Sequence, residues 1–219
     1  MPPTTLRAAG LLLDMDGTLV NSDAVVERCW RRWAAKHNLD PADVLGIMHG
    51  RQGHATMAAL LPHRSAAENL AENALLIAEE IADTDGVVPV PGAPAFLAAL
   101  QGHPHALVTS ANEDLALTRM SATGLPLPPV LVTAERVSAS KPDPEGFLKG
   151  AAELGFAPAD CLVFEDAEVG IAAAKAAGMR VVGVGPRAAA QEPTVHVRSL
   201  EQVTVEVRAD GGFALTFTA

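Results

Sequence analysis

Two aspartates stand directly after a short apolar run, in the segment Asp14-Met15-Asp16-Gly17-Thr18. If the apolar run is a buried strand, residues two apart face the same side, so the carboxylates of Asp14 and Asp16 converge. Converging like charges require a shared proton or a bound cation. Gly17 allows the chain to turn sharply after the acids. The pair alone leaves two interpretations open, a metal site and an Asp-Gly turn at the surface.

A second pair of acids, Glu165-Asp166, ends another apolar run and precedes a helix of small residues. Hard divalent cations such as Mg²⁺ bind oxygen ligands in octahedral geometry and keep several waters. We therefore predict a Mg²⁺ site formed by Asp14, one contact from Asp16, and Asp166. Glu165 is either a further ligand or an acceptor that supports the ligands, and the sequence does not decide between these roles.

A third apolar run ends in the segment Thr109-Ser110-Ala111-Asn112, just before a predicted helix. Helix N-termini and short hydroxyl side chains suit phosphate oxygens, although an ordinary helix cap has the same composition. Lys141 lies close to two prolines, Pro142 and Pro144, that restrict the backbone around it. It is therefore a candidate phosphate-binding cation, with a solvated surface lysine as the alternative.

Short apolar runs alternate with helical patterns along most of the chain. The runs are 8–13, 106–109, 130–133, 161–165 and 181–184, and the helical segments between them are 94–101, 113–122, 144–154 and 170–177. This alternation predicts an α/β core with a doubly wound, Rossmann-like parallel sheet. Ligands of such sheets bind at the carboxyl ends of the strands, where the acids, hydroxyl groups and lysine described above are expected.

Residues 22–85 break the alternation because they show helical periodicity and no credible strand. We predict an inserted helical cap over residues 21–86, and an α/β core formed by residues 1–20 and 87–219. Two cap helices would each bury one face, marked by Val26, Cys29, Trp30 and Trp33 in the first and by Leu70, Ala74, Ile77 and Ile81 in the later one. Ser65 and Glu68 have the spacing of a capping box for that later helix.

The pattern changes again after Pro193. Val195 and Val197 indicate one more strand, and two alternating segments then flank Asp210-Gly211-Gly212, which has the composition of a tight turn. We predict a C-terminal β-hairpin with a structural role.

The composition narrows the class of protein. The 219 residues, 49% of them apolar, suffice for one core with a modest accessory domain. A net charge of −10 disfavours a nucleic-acid partner. No apolar run approaches the ~18 residues that span a bilayer, and the first residues, from Met1, do not form a signal sequence. We expect a cytoplasmic protein without a membrane partner, monomeric by default, that binds a small-molecule phosphate ester.

The four chemical elements, in this order, resemble the motifs of the haloacid dehalogenase phosphohydrolases. The matching segments are Asp14-Met15-Asp16-Gly17-Thr18, Thr109-Ser110, Lys141-Pro142 and Glu165-Asp166. The resemblance spans residues 11–185, and the predicted cap lies where the family carries its small helical cap. It is closest to the sugar phosphatases and to the 2-deoxyglucose-6-phosphate and glycerol phosphatases, and it implies Mg²⁺-dependent hydrolysis of a small sugar or polyol phosphate.

The resemblance also implies a role for each residue. Asp14 would be the nucleophile that forms an aspartyl-phosphate, and Asp16 would protonate the leaving alkoxide and then act as base for water. Lys141, the Ser110 hydroxyl and Mg²⁺ would surround the phosphoryl oxygens. In the related sugar phosphatases the turn equivalent to His49-Gly50-Arg51 faces the active site. These residues are therefore candidate substrate contacts, and the alternative is an ordinary helix C-cap.

Two other functions remain open. β-Phosphoglucomutases share the cap and the Phe-Glu-Asp motif, but they carry a histidine at the position that corresponds to Val26, which weakens the mutase hypothesis. The third hypothesis is a non-catalytic protein that binds phosphometabolites. The sequence retains all the expected acids and Lys141, so nothing in it indicates lost chemistry. It does not identify which sugar or polyol phosphate is the substrate.

Overall fold

The computed structural model describes residues 4–218, so residues 1–3 and 219 of the predicted core lie outside the described part of the chain. The strands are β1 (Thr4–Ala8), β2 (Gly10–Leu13), β3 (Val20–Asn21), β4 (Val88–Pro89), β5 (His105–Val108), β6 (Val130–Val132), β7 (Cys161–Glu165), β8 (Arg180–Val184), β9 (Val195–Val197), β10 (Val203–Val207) and β11 (Phe213–Phe217). The α-helices are α1 (Asp23–Lys36), α2 (Pro41–Ile47), α3 (Gly53–Leu60), α4 (Ala66–Ala82), α5 (Ala93–Leu100), α6 (Glu113–Thr123), α7 (Glu145–Leu154), α8 (Glu168–Ala176) and α9 (Gly185–Ala188). None of these helices is both long and apolar enough to cross a bilayer.

The main sheet has six parallel strands in the order β6-β5-β2-β7-β8-β9. Its central strand β2 is buried on both faces. Leu11 and Leu13 belong to one hydrophobic cluster, whereas Leu12 belongs to a second cluster with Phe147 of α7. Residues that alternate along a strand face opposite sides of the sheet, so the two clusters lie on opposite sides and explain the continuous apolar run. The predicted doubly wound α/β core is confirmed.

The predicted run 8–13 is divided between two strands in different sheets. β1 ends at Ala8 and pairs with β11, and the chain then enters the main sheet at Gly10. The predicted C-terminal hairpin is confirmed, since β10 and β11 are antiparallel around a turn in which Gly211 has φ +82°. The additional finding is that β1 completes this hairpin as a three-stranded sheet in the order β1-β11-β10.

Helices α1–α4 lie between the short strands β3 and β4, which pair antiparallel through Val20 with Pro89 and Asn21 with Val88. These two strands therefore bring the ends of the helical segment together, close to the bounds 21–86 that the sequence predicts for a cap. The capping box at the start of α4 is confirmed, because Ser65 Oγ accepts from the Glu68 amide and the Glu68 carboxylate accepts from the Ser65 amide.

The predicted apolar face of α4 is wrong in part. Leu70 is 53% exposed and Ala74 is exposed, although Ile77 and Ile81 do pack partly against the core. The residues that α4 buries are Asn69, Glu72, Leu76 and Glu80. The helix therefore turns two acids inward, and each must have a partner because a buried, unpaired charge is costly.

Glu72 finds its partners within the helical segment. Its carboxylate accepts hydrogen bonds from Lys36 Nζ at 2.5 Å, from His37 Nε2 at 3.0 Å and from Arg64. Burial raises the pKa of Glu72, but the hydrogen bonds from these three residues outweigh it and lower the pKa to about 2. Through Lys36 and His37, the Glu72 carboxylate connects α4 to the C-terminal end of α1.

Candidate active site

The carboxyl ends of three neighbouring strands form the floor of the site. β2 lies between β5 and β7, so the residues that follow Leu13, Val108 and Phe164 meet at one edge of the sheet. The Asp14 amide still donates to the Phe164 carbonyl at 3.0 Å, which holds Asp14 as the last residue of the ladder. Gly17 then turns the chain with φ +86°, and a Cβ at this position would collide with the Asp166 carboxylate.

The acids predicted from two separate strands converge. Carboxylate oxygens of Asp14, Glu165 and Asp166 all lie within 4.8 Å of one another, and the three residues are buried. Burial and repulsion by Glu165 raise the pKa of Asp14 to about 7, and the same two causes raise the pKa of Asp166. The cluster therefore holds more negative charge than its surroundings compensate.

Lys141 is the buried cation of this cluster. Its Nζ donates to Asp14 Oδ1 at 2.6 Å and to Glu165 Oε2 at 2.7 Å. Although burial opposes its charge, these two carboxylates raise the pKa of Lys141 above its usual range. The other Glu165 oxygen accepts from the amides of Asp166 and Ala167 at 3.0 Å. Both oxygens of Glu165 are thus already engaged.

Asp16 turns away from the buried cluster. Ser22 Oγ donates to its Oδ1 at 2.7 Å, and Arg119 Nη1 donates to its Oδ2 at 2.6 Å. Its side chain is 32% exposed, in contrast to the 6% of Asp14. The predicted convergence of the Asp14 and Asp16 carboxylates is therefore wrong: Asp14 lies among the buried acids, whereas Ser22 and Arg119 hold the Asp16 carboxylate at the surface of a cavity.

The cavity lies between the sheet and helices α1–α4 and has a volume of about 300 Å³, at the small end of the range for ligand sites. Asp14 and Asp16 line it from below. Of the other predicted site residues, those that line it are His49, Gly50, Arg51, Thr109, Ser110, Ala111 and Asn112. Lys141, Glu165 and Asp166 lie buried beside this floor.

The segment after β5 is held by its own side chains. Thr109 Oγ1 accepts from the Ala111 amide at 3.1 Å, and Asn112 Oδ1 caps α6 by accepting from the Leu115 amide at 3.0 Å. Ser110 Oγ instead reaches across the cavity edge and donates to the Gly50 carbonyl at 2.9 Å. Asn112 is thus a helix cap as well as a lining residue, and Ser110 connects the sheet edge to the His49-Gly50-Arg51 turn.

Gly50 allows this turn to rest on the core. Its φ is +74°, and a Cβ would come within 2.7 Å of the Ala167 side chain and 2.9 Å of Val169. His49 and Arg51 consequently flank the cavity from the side of the helical segment. Burial and the nearby Arg187 lower the pKa of His49.

Comparison with known proteins agrees with this geometry. The model of the haloacid dehalogenase-like hydrolases matches residues 9–178, which is more than half of the chain. The chain belongs to the haloacid dehalogenase-like hydrolase family. It is similar to hexitol phosphatase A of Escherichia coli (strain K12), with 41% identity over 213 residues that cover 94% of this chain and 98% of that protein.

One further relative and one solved structure are also similar to this haloacid dehalogenase-like hydrolase. Glycerol-1-phosphate phosphohydrolase 1 of Saccharomyces cerevisiae (strain ATCC 204508 / S288c) is 32% identical over 193 residues, covering 83% of this chain and 76% of that protein. The solved structure of a β-phosphoglucomutase from Clostridium difficile superposes with a TM-score of 0.80 at 21% identity, covering 90% of this chain and 93% of that chain. At 21% identity, the similarity to this structure shows a shared fold and nothing about function.

Several charged and hydroxyl residues of the site were not predicted from the sequence, namely Ser22, Asp23, Glu80, Arg119 and Arg187. Arg187 follows β8 and donates to Asp166 Oδ2 at 2.8 Å and to Asp23 at 3.0 Å. Its position after the apolar run 181–184 is the signal that could have found it, because every other strand end nearby carries site residues. Arg119 lies inside a helix and gave no such signal.

Proposed function

We propose that this protein is a Mg²⁺-dependent phosphatase that hydrolyses a small sugar or polyol phosphate through an aspartyl-phosphate on Asp14. One observation carries the proposal. A buried carboxylate, Asp14, directly follows the central strand and lines the floor of a cavity, 2.6 Å from the buried cation Lys141. The similarity to a hexitol phosphatase supports the choice of a polyol phosphate as the first substrate to test.

The residues present fit a divalent cation. Asp14 and Asp166 offer carboxylate oxygens, the ligands that Mg²⁺ prefers, in a cluster whose negative charge is incompletely balanced by Lys141 and Arg187. The Asp16 side chain is engaged elsewhere, so a contact from that residue would come from its main-chain carbonyl. Glu165 would hold Lys141 in place. When bound, Mg²⁺ would stabilise negative charge on the phosphoryl oxygens.

In the first chemical step, an Asp14 carboxylate oxygen attacks phosphorus, and the bond from phosphorus to the sugar or polyol oxygen breaks. Lys141 stabilises the charge on the phosphoryl group. Asp16, on the cavity surface, donates its proton to the departing alkoxide, so that an alcohol leaves. The products of this step are the alcohol and an aspartyl-phosphate.

In the second step, water attacks the phosphorus of the aspartyl-phosphate. Asp16, now a carboxylate, accepts the proton of that water, and the bond from Asp14 to phosphorus breaks. Inorganic phosphate and the original Asp14 result. The helical segment over the cavity keeps other water molecules away from the alkoxide until the first step is complete.

Magnesium should stabilise the folded protein as well as activate it. Near 100 times its dissociation constant, a ligand of the native state adds about 2.7 kcal/mol to the free energy of unfolding. We expect Asp166→Asn to bind Mg²⁺ at least about tenfold more weakly than the wild type. Loss of a residue that only hydrogen-bonds a metal ligand already weakens metal binding by about tenfold or more. The measurement is the thermal midpoint against Mg²⁺ concentration, without substrate.

Asp160→Asn is the matched control for this experiment, because Asp160 is an exposed acid next to the opposite end of β7. Its Mg²⁺ dependence should equal that of the wild type. Equal Mg²⁺ affinities for the Asp166→Asn variant and the wild type would contradict the assignment of Asp166 as a ligand.

Arg51→Ala should change which substrate is preferred. Arg51 flanks the cavity, so its loss removes a donor to the substrate and leaves the acids in place. We expect kcat/KM for the preferred substrate to fall by about tenfold or more. The experiment is a phosphate-release screen over sugar and polyol phosphates with Mg²⁺. Arg31→Ala, which removes an exposed arginine of α1, should leave the order of substrates unchanged.

The same screen tests the two alternatives. A sugar-phosphate mutase would interconvert hexose phosphates and release little free phosphate, and a binding protein would show thermal shifts with phosphoesters and no turnover. Val26 lines the cavity at the position where the mutases carry a histidine, which favours hydrolysis.

A further inference from the structure

A continuous chain of charged side chains links Asp16 to the helical segment. Arg119, on α6, donates from Nη1 to Asp16 Oδ2 at 2.6 Å and from Nη2 to Glu80 Oε2 at 2.5 Å. Asp16 follows the central strand, whereas Glu80 lies on α4. The guanidinium of Arg119 therefore connects α4 directly to the residue that the proposed mechanism uses as acid and base.

Both members of the Glu80–Arg119 pair are buried. The side chains of Arg119 and Glu80 are 5% and 6% exposed. Burial raises the pKa of Glu80 to about 7, and Arg119 opposes this shift. A buried cation is stable only with close carboxylate partners, and removing one partner leaves an uncompensated charge. Arg119 depends on both carboxylates for its position.

The carboxylate of Asp16 has a donor on each oxygen. Ser22, directly before α1, binds Oδ1, and Arg119 binds Oδ2, so the plane of the carboxylate is fixed. Efficient proton transfer needs the donor oxygen within hydrogen-bond reach of the leaving oxygen, and its orientation decides this. Both terminal nitrogens of Arg119 already bind carboxylates, which favours a role toward Asp16 over direct substrate contact.

We propose that Glu80 is a positioning residue, which holds Arg119 so that Asp16 is aligned for proton transfer while α4 lies against α6. This inference rests on the phosphatase function proposed above. It implies that proton transfer depends on the seating of the helical segment, because the anchor of Arg119 belongs to that segment. Movement of α4 away from α6 would release Arg119 and with it the alignment of Asp16.

The chemistry allows this role to be separated from a structural one. An alkoxide leaving group needs the proton of Asp16, but p-nitrophenolate is a weak base that leaves without it. The second step needs Asp16 for both compounds, because water must lose a proton in each case. Misalignment of Asp16 should therefore slow both steps with a polyol phosphate and only the second step with p-nitrophenyl phosphate.

The test uses Glu80→Gln, with Glu79→Gln as the matched control. Glu79 is the preceding residue of α4, and its half-exposed side chain pairs with Arg32 at the surface. With sorbitol 6-phosphate, we expect Glu80→Gln to lower kcat by about 100-fold, the usual scale for general acid–base catalysis, and to change KM less than about threefold. With p-nitrophenyl phosphate, we expect a rapid burst of about one equivalent of p-nitrophenol, followed by slow turnover.

Arg119→Lys serves as a second variant, since lysine keeps the buried charge but has a single donor atom in place of the two-ended guanidinium. It should give the same burst and the same loss of kcat. An increase in KM with kcat unchanged, or kinetics equal to those of Glu79→Gln, would overturn the inference. So would loss of the burst in both Glu80→Gln and Arg119→Lys. If the wild type released phosphate from neither compound, the proposed phosphatase function itself would be rejected.

Discussion

Asp14→Asn should lower the rate of phosphate release by about 10,000-fold or more, because an amide oxygen cannot act as the nucleophile and the covalent step is lost. The fold should survive the change. Lys141 keeps Glu165 as a partner at 2.7 Å, and the substitution removes a buried charge whose pKa is already raised to about 7. The measurements are phosphate release with Mg²⁺ and the thermal midpoint of unfolding.

Asp16→Asn distinguishes loss of the nucleophile from loss of the acid and base. This variant retains Asp14. If it is mixed with p-nitrophenyl phosphate that carries a label on its phosphoryl group and the reaction is stopped with acid, labelled phosphate should remain bound to the protein. With Asp14→Asn, no label should remain bound. Substantial turnover by a homogeneous Asp14→Asn preparation would exclude Asp14 as the nucleophile. Equal amounts of bound phosphate on the two variants would exclude an aspartyl-phosphate at Asp14.

The acid cluster could be predicted from the sequence because it depends on few geometric facts. Asp14 and Asp166 each follow an apolar run, and parallel strands present their carboxyl ends at one edge. The pairing of β2 with β7 is then enough to bring the two carboxylates together. The position of these two carboxylates depends on strand pairing and not on helix packing, so the sequence pattern was sufficient to predict that they converge.

The Glu80–Arg119 pair could not be predicted in the same way. Periodicity assigns charged residues to the exposed face of a helix, so the phase chosen for α4 placed Leu70 and Ala74 inward. In the folded chain Glu72 and Glu80 are inward instead, because α1 and α6 supply cations that compensate them. Arg64 is a partner of Glu72 only eight positions away, but Lys36 and Arg119 lie 36 and 39 positions from the acids they compensate, and a local pattern does not contain such contacts.

The break between β1 and β2 was missed for a related reason. Residues 8–13 form an unbroken run of small and apolar residues, and nothing in their types marks Ala9 as the break between two strands. Ala9 is placed by its amide, which donates to the Asp160 carbonyl at 2.7 Å, and by the pairing of β1 with the distant β11. Both contacts join residues that are far apart in the sequence, so the local pattern of residues 8–13 could not predict the break.

Lys141→Met should lower both the stability of the fold and the rate of phosphate release. The substitution leaves Asp14 and Glu165 buried without their shared cation, and breaking a buried pair from one side costs about 3–5 kcal/mol. Loss of one donor to an oxyanion lowers kcat by about 100- to 1,000-fold in other enzymes, and we expect a loss of the same size here. The measurements are urea unfolding without Mg²⁺ and phosphate release with it.

Two further variants separate the loss of the buried ion pairs from the loss of other Lys141 contacts. Lys175→Met removes an exposed lysine of α8 that donates to a surface carbonyl, so it should leave stability and activity close to those of the wild type. Lys141→Met combined with Glu165→Gln leaves a single uncompensated carboxylate in the cluster, and it should recover part of the lost stability while activity stays low. If the added Glu165→Gln gave no recovery, the stability lost in Lys141→Met would come from other contacts of Lys141, such as that of its Nζ with the Phe147 ring, 5.1 Å from the ring centroid. The buried charges would then contribute to catalysis alone, since their pairing would add nothing to the stability of the fold.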